Sequence, residues 1–359
     1  MAVSAVQSLI TVVIFFAMLG ILVVIHELGH FVTARLARVR VLEFGLGFPP
    51  RAKVLRSEGE TLYTLNWLPI GGFVRLEGED GDSDDPHSFV RAPLPTKLII
   101  LVAGVVMNLA LAFVIFFAIF ALAYPTWTLT INSVQPDSPA AAAGLVAGDH
   151  VVTLEGERFD GFGNPGLVLR DRAGQTVALG VVRADGTSET LQATLRKPED
   201  ITVTSGALGI SFGGQVEYVQ NPPVEAFQMA VAQTGEALTL IWKGLGQLVD
   251  SAVNNPTAPP PVAGPIGIAS QVGDVFWQLG PVYTLFLAGI LSANLALVNI
   301  LPFPPLDGGR ILVLLLKAVA GERISIRAER LTYLVGFVFL MAFLVWISYF
   351  DITAPGRGQ

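Results

Sequence analysis

Uncharged apolar runs of about the length that crosses roughly 30 Å of bilayer hydrocarbon recur four times, at Leu9–Ile25, Leu98–Ala123, Pro281–Leu301 and Leu331–Phe350. Each predicts a membrane-spanning helix. Between the first two, from Val39 to Glu77, apolar and polar residues alternate around a turn at Glu58-Gly59, which predicts β-hairpins. Between the second and third, "INSVQPDSPAAAAGLVAGDHVVTLEGERF" (131–159) reads as strand, turn, short alanine helix closed by Gly144, a Gly148-Asp149 turn and another strand. A helix around Leu167–Arg172 follows, then strands at Thr176–Arg183 and Ser188–Leu195 joined at Asp185-Gly186. Ala237–Val249 is a further apolar window. It is short and carries Lys243, and Glu225, Glu236, Lys243 and Asp250 recur at near-helical spacing, so it predicts an amphipathic helix on the outer membrane surface. The run "NNPTAPPPVAGP" reads as a linker.

The pattern predicts a polytopic α-helical membrane protein with four transmembrane helices. A membrane-associated β-hairpin region lies on the cytoplasmic side and one α/β domain is inserted on the outer side. Residues 1–123 hold the first two spans and the β region (39–77), 124–214 the inserted domain, 215–280 the amphipathic helix and linker, and 281–359 the last two spans. The first window lacks a basic leading segment and a small-x-small cleavage site and runs straight into polar sequence, so it reads as a span rather than a signal peptide.

Composition agrees: 52% of the 359 residues are hydrophobic and 14% charged, well outside soluble usage. The basic residues set the expected orientation. Of 22 Lys and Arg, nine lie between Arg35 and Lys97 and five between Arg310 and Arg330, which places those two connections in the cytoplasm and both termini outside. A net charge of -7 argues against a nucleic-acid partner, and the absence of cysteine removes disulfides and thiolate metal sites.

The first ionisable side chains arrive together at the end of the first span, as His26, Glu27 and His30 in H-E-x-x-H. Residues four apart share a helix face, so both imidazoles reach one metal, and Glu27 reaches a water activated by it. A carboxylate inside a span costs several kcal/mol unless it serves a cavity or partner, so Glu27 reads as functional. If Arg35 marks the interface, the eight residues from Glu27 to it rise about 12 Å and put the motif in the cytoplasmic third of the bilayer. Gly29 admits a close neighbouring helix. Tetrahedral zinc needs a third protein ligand. Thr33 and Leu36 stand where the metzincin extension has Gly and His, so the third ligand lies elsewhere. "SANLALVNILPFPPLDGGRILVLLL" offers Asp307, placed where prolines break the helix and Gly308-Gly309 follow, with an ordinary Asp-Gly turn as the alternative. A span at Ala237–Val249 would carry Asp307 to the opposite face from His26, so a closed site demands four spans.

His26, Glu27, His30 and the Asn-x-x-Pro-x-Pro-x-Leu-Asp-Gly run from Asn299 to Gly308 resemble the site-2 protease family of intramembrane zinc metalloproteases, of the bacterial regulator-of-sigma-E type. The resemblance implies Zn2+ held by His26, His30 and Asp307, with Glu27 activating water. It gives Asn299, and with it Asn294, to the substrate backbone, interhelical packing being the other reading. Asn108, inside the second span, is read as packing alone. A substrate-holding β-loop falls at Gly71 to Leu76, including Gly72 and Phe73, and a Gly-x-Gly segment at Gly45–Gly47; a hairpin without substrate contact is the bland alternative. The acidic tract "EGEDGDSDD" reads as a solvated loop with His87 exposed. The outer domain resembles a single circularly permuted PDZ domain whose peptide-binding strand would be Gly206–Gly213, with His150 structural. The family implies single-span membrane substrates pre-trimmed by another protease, such as anti-sigma factors or signal-peptide remnants, and a place in the bacterial inner membrane. Two other readings are a membrane-anchored zincin cutting at the cytoplasmic face, and a PDZ-based binding protein with an inert metal site.

Overall fold

The structure, a computed structural model, describes residues 5–57, 59–79, 81, 83–202, 205–255, 258–320 and 326–353. Glu58 of the expected turn, Asp80 and Asp82 of the acidic tract and Pro256 and Thr257 of the expected linker lie outside the described residues. The chain divides into two compact units, residues 1–117 with 228–359, and residues 118–227.

In the first unit, α1 (Ala5–Leu36) is one unbroken helix that carries the H-E-x-x-H motif on its last turns. Together with α2 (Leu94–Leu122), α7 (Pro281–Asn299) and α9 (Ile326–Thr353) it is long and apolar enough to cross a membrane. Their flanks leave residues such as Leu9, Val114, Leu285 and Val335 exposed, as lipid-facing helices do. The helix that contains the fifth window, α5 (Pro223–Asn254), is not of this apolar kind, because its charges recur along its length. The protein is thus a membrane protein with, among the described residues, four candidate membrane helices and an inserted β domain.

Between α1 and α2, β1 (Val41–Arg56) and β2 (Leu62–Leu76) pair antiparallel with several register shifts. The sheet curls on itself: residues 43–46 of β1 face Leu62–Leu65 on one side and Gly72–Arg75 on the other. Among the described residues, the end of β2 from Gly72 to Leu76 has only this β1 partner and forms an edge. Glu43 is buried in the hairpin and fully used, taking hydrogen bonds from Arg51 Nη2 at 2.9 Å and Thr64 Oγ1 at 2.8 Å. Val39, Val41, Leu76, Phe89, Ala34, Ile100 and Leu101 form a core that fixes the hairpin to α1 and α2.

Among the described residues, the acidic tract after β2 is solvated only in part: Asp84 is exposed as expected, whereas three carboxylates are paired. Glu79 pairs with Arg310, Asp85 pairs with Arg40, and Ser83 donates to Glu77 at 2.6 Å, because arginines from neighbouring segments bring the charge that these carboxylates balance. His87 is exposed as expected.

α6 (Pro265–Gln278) lies against α1, where Gly273 leaves room for Thr11 and Trp277 Nε1 donates to Thr11 Oγ1 at 3.0 Å. Its N-terminus is closed by Asp351 of α9, whose carboxylate accepts from Gly264 N at 3.0 Å and Gly267 N at 2.9 Å. After α7 the chain breaks at residues 300–306 and resumes as α8 (Asp307–Ala320). The expected helix break lies just before Asp307; Gly308 and Gly309 are not the Asp-Gly turn offered as the alternative but the second and third residues of α8. A Cβ on Gly308 would strike the carbonyl oxygens of Ile300 and Leu301, and one on Gly309 would come within 2.6 Å of Phe303, so both glycines serve close backbone packing.

The second unit is built on a six-stranded antiparallel sheet in the order β7-β6-β4-β5-β3-β8. Its strands are β3 (Tyr124–Val134), β4 (His150–Leu154), β5 (Glu157–Asp160), β6 (Thr176–Val182), β7 (Ser188–Thr194) and β8 (Ile210–Val219). Two short helices, α3 (Pro139–Ala142) and α4 (Pro165–Asp171), are capped by Ser138 and Asn164. Leu129, Ile131, Val151, Leu179, Val181 and Leu208 fill its core. The strand expected at Gly206–Gly213 begins four residues later, because Gly206 (φ +53°) and Gly209 (φ +76°) adopt left-handed backbone that no strand accommodates. Among the described residues it occupies a sheet edge, paired only with β3. His150 opens β4 and its Nδ1 lies 2.9 Å from Thr130 Oγ1.

Candidate metal centre

On α1, His26 and His30 are one turn apart and both buried, their rings 4.8 Å between centroids. Burying two imidazoles requires a neighbour that makes room and supplies partners, and α2 does both. A Cβ on Gly104 would lie 2.5 Å from His30 Nε2 and 2.7 Å from His26 Cε1, so only glycine admits the pair. Gly29 plays the reciprocal part on α1, since a Cβ there would strike the Ala103 carbonyl. His30 Nδ1 donates to the Ile100 carbonyl oxygen at 2.7 Å, which leaves Nε2 as the lone-pair nitrogen.

Asp307, at the start of α8, completes the group. Its Oδ2 is 3.0 Å from His26 Nε2 and 3.3 Å from His30 Nε2, and the two Nε2 atoms are 3.2 Å apart. Ligands held about 2.0–2.1 Å from a tetrahedral zinc are about 3.3 Å from one another, so this triangle of one carboxylate oxygen and two imidazole nitrogens fits the ion. Among the described residues, these three form the group of metal-ligating side chains whose donor atoms lie within 4.8 Å of one another.

The triangle opens on a cleft of about 630 Å³. Glu27 lines it, with its Cγ 3.7 Å from where a Cβ of Gly72 would stand, so the edge of β2 runs past the glutamate. Gly71, Gly72 and Phe73 line it as well. Gly45 is needed opposite, because a Cβ there would meet the Phe73 ring. Asn299 lines the cleft from the end of α7, together with Leu295. Asn294 is half-buried and, turned about the helix from Leu295, does not line it.

Three residues of the site were not assigned to it by the sequence. Gly104 and Asn108 face the histidines from α2, the Asn108 amide lying 3.2 Å from His26 Nδ1. Arg310, one turn after Asp307, pairs with Glu79, whose other oxygen accepts from Leu76 N at 3.1 Å, and so ties the aspartate's helix to the end of β2. The available signal was an uncharged amide in the middle of a span, four residues from a glycine.

A profile described as Peptidase family M50 matches residues 14–343. The chain belongs to peptidase family M50. Relatives of this M50 peptidase include a candidate zinc metalloprotease of Clostridium perfringens, 31% identical over 346 residues that cover 95% of this chain and 99% of that protein. A second, from Clostridium acetobutylicum, is 29% identical over 351 residues, covering 97% and 99%. Zinc metalloprotease RasP of Geobacillus kaustophilus is 26% identical over 427 aligned positions, covering 97% and 99%. The M50 peptidase is a zinc metalloprotease of the site-2 protease family, and zinc is its cofactor.

Proposed function

We propose that the M50 peptidase hydrolyses a peptide bond in or beside a transmembrane segment of a membrane protein, at a zinc held by His26, His30 and Asp307. The observation that carries this is the convergence of those three donors from α1 and α8, within 4.8 Å of one another, in a cleft shared by Glu27 and a β-edge. Zinc supplies a Lewis acid that polarises the scissile carbonyl and acidifies water.

The chain's own residues supply the remainder. Glu27 takes the proton of the attacking water as the new C–O bond forms, and delivers it to the departing nitrogen as the C–N bond breaks, leaving a carboxylic acid and an amine. A helical substrate hides its carbonyls in its own hydrogen bonds, so it has to unwind before attack. The edge from Gly72 to Leu76 offers strand pairing to the unwound segment, Asn299 offers a side-chain amide to its backbone, and Phe73 offers an apolar contact. The density of basic residues in the two shorter connections supports a reading with this cleft toward the cytoplasm and the β unit outside. There the edge strand β8 of a PDZ-like domain would take an extended chain end, for instance one exposed by earlier trimming of an anti-sigma factor or signal peptide.

The test uses the full chain in detergent with a single-span substrate and mass spectrometry of the products. Wild type is expected to cut within the span, and a cut confined to a soluble loop refutes the intramembrane reading. Glu27→Gln is expected to keep its zinc and lose about 10²–10⁴-fold in cleavage rate. Unchanged cleavage removes Glu27 from its role.

A further inference from the structure

Asn108 lies in the interior of α2 without exposed surface. A carboxamide buried in a span is costly unless something uses its hydrogen-bonding groups. Its main-chain oxygen accepts from Ser292 Oγ of α7 at 2.8 Å, which locks the two helices together. Its side chain points the other way, into the metal centre. With Nδ2 turned to the ring it stands 3.2 Å from His26 Nδ1, while the buried Oδ1 has no partner among the described residues. A half-turn of the amide exchanges nitrogen and oxygen without changing its outline, so the chemistry of the neighbour decides which atom faces the ring.

That chemistry is set on the far side of the imidazole. His26 Nε2 stands 3.0 Å from Asp307 Oδ2 and 3.2 Å from His30 Nε2, where it presents a lone pair to the zinc. A neutral imidazole bears one proton, and with Nε2 turned to the metal that proton is on Nδ1. An N–H needs an acceptor, which an amide NH2 is not.

We infer that Asn108 is a positioning residue for the zinc: Oδ1 accepts from His26 Nδ1–H and so fixes the tautomer and ring plane in which Nε2 faces the ion. His30 is held by the same device from the same helix, its Nδ1–H donating to the Ile100 carbonyl at 2.7 Å. Ile100, Gly104 and Asn108 follow at intervals of four and form one stripe of α2, with an acceptor, a gap for both rings and a second acceptor. The inference rests on the proposed role of His26 as a zinc ligand.

The experiment measures zinc affinity of the detergent-purified full chain by chelator competition at fixed pH, with thermal melting in parallel. Wild type, His26→Ala, Asn108→Leu and Asn108→Asp are compared. His26→Ala is expected to lose the site. Asn108→Leu is expected to bind about 10–100-fold more weakly, the usual effect of removing the partner of a ligating histidine. Asn108→Asp has the same outline and only acceptor oxygens, and is expected to bind at least as tightly as wild type. If Asn108→Leu matches wild type while His26→Ala has lost zinc, the inference is overturned and the ligand assignment stands. If His26→Ala keeps the site, the ligand assignment itself fails. Should Asn108→Leu not fold, Asn108→Asp decides alone. Retained affinity supports an accepting Oδ1, and weakened affinity overturns it, because a donating Nδ2 is what aspartate lacks.

Discussion

At the scale of single residues, the site depends as much on what is absent as on the ligands. Both imidazoles occupy the space that a side chain at Gly104 would fill. Gly104→Val is therefore expected to displace them and lower zinc per chain by about tenfold or more, the scale seen when support for a ligand is lost, as read by elemental analysis of the purified protein. Gly20, on the same helix as the histidines, has nothing within 4 Å of a added Cβ, and Gly20→Ala is expected to keep full zinc occupancy. Equal loss in both variants would show that the effect is general to spans rather than local to the histidine pair.

At the scale of elements, α1 brings two donors to one face through its period alone, whereas Asp307 depends on a break. The segment 300–306 folds back so closely that the backbone of Ile300 and Leu301 occupies the place of a Cβ on Gly308. Gly308→Ala is expected to push α8 away and lose zinc although no ligand has changed, again by metal content. A different helix start is held from outside: Asp351 receives two main-chain N–H groups of α6. Asp351→Ala leaves them unpaired and is expected to cost about 1–2 kcal/mol of stability, visible as a lower melting temperature. The Arg310–Glu79 pair, its glutamate largely buried, ties α8 to the end of β2.

At the scale of the whole molecule, two units with separate cores predict separable responses. Leu179 is fully buried in the core of the β unit, and Leu179→Ala is expected to destabilise that unit by about 2–5 kcal/mol while zinc content stays at the wild-type level. Chelation acts on the other unit. Removing an ion that binds only the folded state lowers stability by RT ln(1 + [Zn]/Kd), so a chelator is expected to lower one calorimetric transition and leave that of the β unit in place. A single transition that moves as one under both treatments would contradict the division.

The sequence by itself determined the spans, the strands β6 and β7 to within a residue, and the metal-binding chemistry, while it placed β3 and β8 less closely and read β4 and β5 as one strand. The reason is that helix period, strand alternation and the cost of charge in lipid are all local rules, written within a few residues of Glu27 or Asp307. It did not determine which further residues complete the site. Gly104, Asn108, Arg310 and Glu79 acquire their meaning only when α2, α8 and the end of β2 are laid against α1. The same is true of Gly308, where the sequence showed a turn residue and the packing required a missing side chain. Proximity between segments that are some 70 to 280 positions apart, as Ile100 and Asp307 are from the histidines, is decided by tertiary packing, and no local pattern encodes it.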